Sequence, residues 1–217
     1  MTTETVYIVD DDASFARGLA RLVDAAGWNS RVFASAAEFL APGRVNGGDP
    51  GCLLLDVRMP GMKGPELYRT MLERRIGLPV IFLTGHGDVP TSVDAMKMGA
   101  VDFLEKPVRG EVLVGTIRTA LARDAVRREA ERVRRDVAAR GALLSPRERE
   151  VMGHVIRGQL NKQIAADLGI SLKTVKAHRA RVMEKMDAKS VAALVGLCRT
   201  AGVGEPAPDA SIRATVQ

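Results

Sequence analysis

Short apolar runs rich in β-branched residues fall at residues 5–9, 30–33, 52–55, 79–83 and 101–104, and the segments between them carry apolar positions at three- and four-residue steps. Phe15, Leu19, Leu22, Val23 and Ala26 show the helical spacing most plainly. Strand and helix therefore alternate five times. Strands that are apolar throughout are buried on both faces, so the alternation predicts a five-stranded parallel sheet covered by helices on either side, a doubly wound (βα)5 unit. Ligands of such sheets bind outside the carboxyl ends of the strands.

From Val108 onward a helical pattern continues through Ile117, Leu121, Val126, Ala130, Val133 and Val137 and stops near Gly141. The last four of these positions are spaced like a coiled-coil seam, over too short a length to specify one. A solvated linker helix is the expectation, with a dimer-forming seam as the alternative. Beyond it, Ser145-Pro146-Arg147-Glu148 reads as a helix start, with serine as the cap, proline at the first helical position and glutamate closing a capping box. Three further short helices follow, two of them joined by the tight turn Leu168-Gly169-Ile170-Ser171, which makes a helix-turn-helix candidate. The expected class is α/β plus all-α. Its parts are a (βα)5 domain at 1–122, a helical linker at 123–141, a four-helix domain at 142–201 and a disordered tail at 202–217 containing Pro206 and Pro208.

Composition narrows the setting. Charged residues make up 27% and hydrophobic ones 46% of the 217, and no apolar run approaches the ~20 residues that cross a bilayer. No basic start with an apolar run and a small-residue cleavage site opens the chain, and Cys52 and Cys198 are two and far apart. A cytoplasmic protein without a disulfide framework is expected. The net charge of +6 is unevenly divided: residues 1–120 hold 13 Lys+Arg against 15 Asp+Glu, and residues 121–217 hold 19 against 11. An acidic first half joined to a basic second half suits a sensor or enzyme tethered to a nucleic-acid binder, because phosphate neutralisation dominates non-specific affinity.

The carboxyl ends of the predicted strands carry the chemistry. The first runs into Asp10-Asp11-Asp12, the third into Asp56, the fourth into Thr84 and the fifth into Lys106-Pro107. Clustered carboxylates repel unless a cation sits among them, and a hard divalent ion such as Mg2+ takes oxygen ligands and tolerates few carboxylates beside phosphate oxygens. With Lys106 as a point charge and Thr84 as a hydroxyl donor, the edge suits an aspartyl phosphate, for which Asp56, alone at the end of Leu53-Leu54-Leu55, is the natural nucleophile. A hydrolase of the haloacid-dehalogenase kind is the opposing class; it would want a general-acid aspartate two residues after the nucleophile, where Arg58 stands.

Val9-Asp10-Asp11-Asp12, Leu55-Asp56-Val57-Arg58-Met59-Pro60-Gly61-Met62, Phe82-Leu83-Thr84-Gly85-His86-Gly87 and Asp102-Phe103-Leu104-Glu105-Lys106-Pro107 together closely resemble the receiver domain of two-component response regulators, over residues 4 to about 122. The resemblance implies that Asp56 accepts a phosphoryl group from a sensor histidine kinase. It further implies that Asp11 ligates Mg2+ directly, Asp10 largely through water, Asp56 through its carboxylate and Arg58 through its main-chain carbonyl. Thr84 and Phe103 would form a switch pair, and Lys106 would bind the phosphoryl group. Asp12 reads as the cap of the following helix.

In the basic half, Val175, Val182 and Met186 share one helical stripe, while Lys173, Lys176, Ala177, Ala180, Arg181 and Glu184 share the other. A basic front with small residues can enter a major groove. Aromatic residues are absent from 104–217, so the stacking platforms of single-strand and RNA binders are missing. Leu144-Ser145-Pro146-Arg147-Glu148-Arg149-Glu150-Val151, Asn161-Lys162-Gln163-Ile164-Ala165 and Ser171-Leu172-Lys173-Thr174-Val175-Lys176-Ala177-His178-Arg179 look like a LuxR-type DNA-binding domain, and the whole chain is similar to the NarL/FixJ subfamily. Thr84-Gly85-His86-Gly87-Asp88-Val89-Pro90 leans toward its FixJ side. The resemblance makes Lys176, Ala177 and Ala180 candidates for base edges, Thr174, Arg179 and Arg181 candidates for phosphates, and His178 a semi-buried or phosphate-facing residue. The partners implied are a histidine kinase, double-stranded DNA, a second copy of the chain once phosphorylated, and RNA polymerase, with no enzymatic turnover and no membrane. The competing account is a receiver that signals through protein contacts, its basic domain a docking module.

Overall fold

A computed structural model describes residues 4–45, 48–85 and 98–201. Its strands are β1 (Thr5–Val9), β2 (Asn29–Phe33), β3 (Gly51–Asp56), β4 (Val80–Thr84) and β5 (Asp102–Glu105). They form one parallel sheet in the order β2-β1-β3-β4-β5. The helices of this part are α1 (Ala13–Ala25), α2 (Ala36–Phe39), α3 (Gly64–Glu73) and α4 (Gly110–Ala142). The helix expected between the fourth and fifth strands, the stretch from His86 to Pro90, and the tail from residue 202 lie outside the described residues.

Period-two alternation along each strand feeds two cores. Tyr7, Val9, Leu53, Leu55 and Phe82 pack with Leu67 and Met71 of α3. Val6, Ile8, Cys52, Leu54, Ile81 and Leu83 pack with Leu19 and Val23 of α1 and with Leu113, Ile117 and Leu121 of α4. Burial on both faces is why these strands read as continuous apolar runs. β1 and β3 approach so closely at their start that a Cβ on Gly51 would stand 2.2 Å from the carbonyl oxygen of Thr5, so only glycine fits there.

The chain divides into two compact units after Arg128, within the 33 residues of α4. The first half of α4 is fastened by Asp124, whose buried carboxylate accepts a hydrogen bond from the Gly51 amide at 3.1 Å and is paired with Arg127 and Arg128, each at 2.7 Å. The second half, expected to be a solvated linker, is exposed along most of its length but also contributes to the second unit. Val133 and Val137 pack into the core of the second unit, and Arg134 and Arg140 donate to the carbonyls of Thr200 and Met186. Burying a valine is worth about 1.5 kcal/mol or more. The chain satisfies that internally at Val137, 2% exposed, whereas Val126 of the same apolar spacing is 73% exposed, so these positions do not form one continuous seam for self-pairing.

The second unit continues with α5 (Pro146–Ile156), α6 (Asn161–Leu168), α7 (Leu172–Lys185) and α8 (Val191–Ala201). The capping box at the start of α5 is formed: Ser145 Oγ accepts from the Glu148 amide at 3.2 Å and Glu148 Oε2 from the Ser145 amide at 2.8 Å. Gly169 ends α6 in the left-handed region at φ +62°, which lets the chain turn directly into Ser171, the cap of α7. Val151, Val155, Ile164, Val175, Val182, Met186 and Leu194 fill the core of this unit.

Candidate functional site

The parallel register sets the ends of four strands on one edge. Val9 pairs with Leu55, Asp56 with Leu83 and Thr84 with Glu105, so Asp10, Asp56, Thr84 and Lys106 emerge together. Lys106 Nζ stands 2.7 Å from Asp10 Oδ2 and 2.7 Å from Asp56 Oδ1, bridging strands that are 46 and more residues apart in sequence from one another. The other oxygens of the two aspartates are held by the main chain. The Asp12 amide donates to Asp10 Oδ1 and the Arg58 amide to Asp56 Oδ2, each at 3.0 Å. Asp12 is the cap expected of it, accepting from the Ser14 and Phe15 amides, which lower its carboxyl below the ordinary range.

Asp10 and Asp56 are buried and Asp11 is exposed. Burial raises the Asp56 carboxyl above its ordinary pKa; Lys106 and the Arg58 amide oppose the shift and Asp10 reinforces it. Lys106 is raised although burial works against its charge, because both aspartates hydrogen-bond it. Asp10, Asp11 and Asp56 can each offer one carboxylate oxygen with all three atoms within 4.8 Å of one another. A buried carboxylate of this kind, beside an exposed one, fits a small oxygen-loving dication.

At the neighbouring strand end, the Thr84 hydroxyl donates to the Gly85 carbonyl at 3.0 Å, and the Lys106 amide donates to the Thr84 carbonyl at 2.7 Å. Phe103 is half-buried and stacks on Phe82, ring centroids 4.8 Å apart, while Phe82 meets Tyr68 edge to face at 5.8 Å. Thr84 and Phe103 thus belong to adjacent paired strands.

The second expected site is the outer side of α7. Val175, Val182 and Met186 are buried and Lys173, Lys176, Ala177, Ala180 and Arg181 are exposed, which separates the two stripes as the spacing predicts. Two candidate phosphate donors are engaged within the protein. The Thr174 hydroxyl bonds Ser171 Oγ at 2.8 Å, and Arg179 Nη1 donates to Asn161 Oδ1, also at 2.8 Å, linking α7 to the first residue of α6. His178 is half-buried, and its Nδ1 is a buried atom without a hydrogen-bond partner among the described residues.

Three contributors escaped the sequence. Asn161 stood only within a motif, and nothing in its spacing tied it to Arg179. Glu148 was read as a cap alone, yet it also accepts from Lys185 at 2.7 Å, a partner that brings its carboxyl down to about 2, with help from the Ser145 amide. Phe15 stood only within the helical spacing, and it faces the Lys106 ammonium at 4.3 Å.

Residues 6–118 match the family described as response regulator receiver domain, and residues 142–198 match the bacterial regulatory proteins of the luxR family. The chain is 45% identical over 204 residues to the transcriptional regulatory protein FixJ of Bradyrhizobium diazoefficiens, covering 94% of this chain and 98% of that one. It is 46% identical over 192 residues to the C4-dicarboxylate transport transcriptional regulatory protein DctR of Rhodobacter capsulatus, covering 88% and 96%. Among solved structures, the response regulator StyR is similar with a TM-score of 0.80 at 41% identity, over 91% of this chain and 98% of that one.

Proposed function

Because this chain belongs to the FixJ-like transcriptional response regulators, in which a receiver domain precedes a LuxR-type DNA-binding domain, we propose that Asp56 is its phosphoacceptor and that the acyl phosphate controls how α7 meets operator DNA. The observation that carries this is the Lys106 bridge to Asp10 and Asp56 at a common sheet edge. One Asp56 oxygen attacks the phosphorus of a kinase phosphohistidine; the O–P bond forms as the P–N bond breaks, and the imidazole leaves. Lys106 follows the phosphoryl oxygens as a point charge. Asp10, Asp11, Asp56 and the Arg58 main-chain carbonyl would hold Mg2+, which when bound neutralises charge on the transferring group.

The Thr84 hydroxyl turns toward the phosphoryl group and Phe103 follows it inward, shifting a pre-existing equilibrium. The modified chain pairs with a second copy and reads spaced half-sites, with Lys176, Ala177 and Ala180 toward base edges, Thr174, Arg179 and Arg181 toward phosphates, and Lys173 on the same DNA-facing side. The functional limits are 1–122 for the receiver, 123–141 for the connecting helix and 142–201 for DNA binding. A histidine kinase and promoter-bound RNA polymerase complete the partners, in the cytoplasm; among the described residues no helix is long and apolar enough to cross a membrane. The chain takes up one phosphoryl group and does not turn over as an enzyme.

The test is incubation with a small acyl phosphate and Mg2+, followed by footprinting on genomic fragments at graded salt. A hydroxylamine-labile label at Asp56 together with stronger operator protection is expected. Absence of the label, or a label without any change in protection, overturns the reading.

A further inference from the structure

We propose that Phe15 is a positioning residue for Lys106, its ring holding the ammonium between Asp10 and Asp56; the proposal deepens the reading of Asp56 as phosphoacceptor and rests on it. An ammonium has three N–H donors. Two directions lead to Asp10 and Asp56 at 2.7 Å, and the ring of Phe15 lies beneath the nitrogen with its centroid at 4.3 Å. A cation over an aromatic face is attracted by the ring quadrupole, and the attraction grows as water is excluded. The Lys106 side chain is only 22% exposed, so the ring acts on a largely dehydrated charge.

The position of the ring is itself built from the pocket. The Asp12 amide donates to Asp10, and the Asp12 carboxylate accepts from the Phe15 amide, each at 3.0 Å. One continuous set of bonds therefore places the carboxylate that Lys106 grips and the ring that Lys106 covers. Phe15 begins the apolar stripe continued by Leu19 and Val23, but those are fully enclosed, whereas Phe15 is half-buried at the rim of the site. A leucine there would preserve apolar packing and remove only the negative face. When a phosphoryl group joins Asp56, Lys106 must exchange a carboxylate oxygen for a phosphoryl oxygen, and the ring confines that movement to the pocket.

Three full-length chains separate this role from simple packing: the parent, Phe15→Leu and Phe15→Tyr. The initial rate of Asp56 labelling by a small acyl phosphate with Mg2+ is measured beside the unfolding midpoint. Phe15→Leu is expected to label about three- to tenfold more slowly while remaining folded, its midpoint lowered only by the lost ring contact, and Phe15→Tyr, which keeps the aromatic face, to recover most of the rate. The Lys106 methylene proton resonances report the contact independently of chemistry. Upfield ring-current shifts are expected in the parent and Phe15→Tyr and not in Phe15→Leu. Equal labelling by Phe15→Leu and the parent, equal slowing in both variants, or unshifted Lys106 resonances in the parent would overturn the proposal while leaving Asp56 in place. A parent that takes no label at Asp56 refutes the underlying reading and this one with it.

Discussion

Lys106 Nζ and Asp56 Oδ1 are 2.7 Å apart, and the Asp56 carboxyl nevertheless sits above its ordinary pKa. Burial, with repulsion from Asp10, outweighs the lysine. An acidic group raised by folding is stabilised in its protonated form, so the ionised carboxylate destabilises the fold at neutral pH. Asp56→Asn is therefore expected to raise the unfolding midpoint of the metal-free chain at pH 7. The gain should fade as pH falls below the ordinary carboxylate range, where Asp56 is protonated folded or unfolded. Urea titrations across that range check the sign; a lower midpoint for the variant at pH 7 would contradict it.

The same crowding predicts stabilisation by Mg2+. A ligand bound only by the folded chain adds about 2.7 kcal/mol at a hundredfold excess over its dissociation constant. Asp11→Asn, at the exposed member of the carboxylate group, should leave the metal-free midpoint almost unchanged and remove most of the Mg2+ response. Calorimetric unfolding with and without the ion distinguishes the two effects.

Thr84→Ala should label at Asp56 nearly as fast as the parent and respond weakly in DNA binding. Its main-chain carbonyl accepts from the Lys106 amide at the strand end, while its partner strand carries Phe103. Paired labelling and footprinting measurements on one preparation suffice, and a full DNA response in the variant would remove Thr84 from the switch.

On α7, Lys176→Ala is expected to cost about 1–3 kcal/mol on the operator and to relax preference at one base position. Arg179→Ala should weaken operator and random DNA alike and reduce the salt slope by about one. Since Asn161 holds the Arg179 guanidinium, Asn161→Ala should reproduce part of the Arg179→Ala loss. Binding isotherms at several salt concentrations on both DNAs test all three.

Glu148 supplies an acid-sensitive contact in the second unit. Its carboxyl is held down to about 2, chiefly by Lys185. A depressed acid stabilises the fold above its unfolded value, roughly 4.3, and that contribution disappears as pH falls toward 2. Glu148→Gln should lower the midpoint at neutral pH and flatten its decline between those limits.

The sheet, the strand ends and the two stripes of α7 were legible because each follows from a local period: apolar strands from burial on both faces, helices from three- and four-residue steps. Asp10, Asp56, Thr84 and Lys106 could be grouped because parallel strands share one carboxyl edge. Contacts between distant positions carried no such signal. Asp124, on a charge-rich helix, is buried against Gly51, 73 residues away, a contact that no local period encodes. Val133 and Val137 kept a seam-like spacing whose partner turned out to be the α-helical core of the same chain. Glu148 and Lys185, 37 residues apart, meet only after α5 and α7 pack.

β3 spans six residues, on the order of 20 Å, and a charged side chain from elsewhere grips each extremity: Asp124 at the Gly51 amide, Lys106 at the Asp56 carboxylate. The strand is thus held at both extremities, and losing the Asp124 carboxylate would leave the buried Gly51 amide without that partner, with no loop between that end and Asp56.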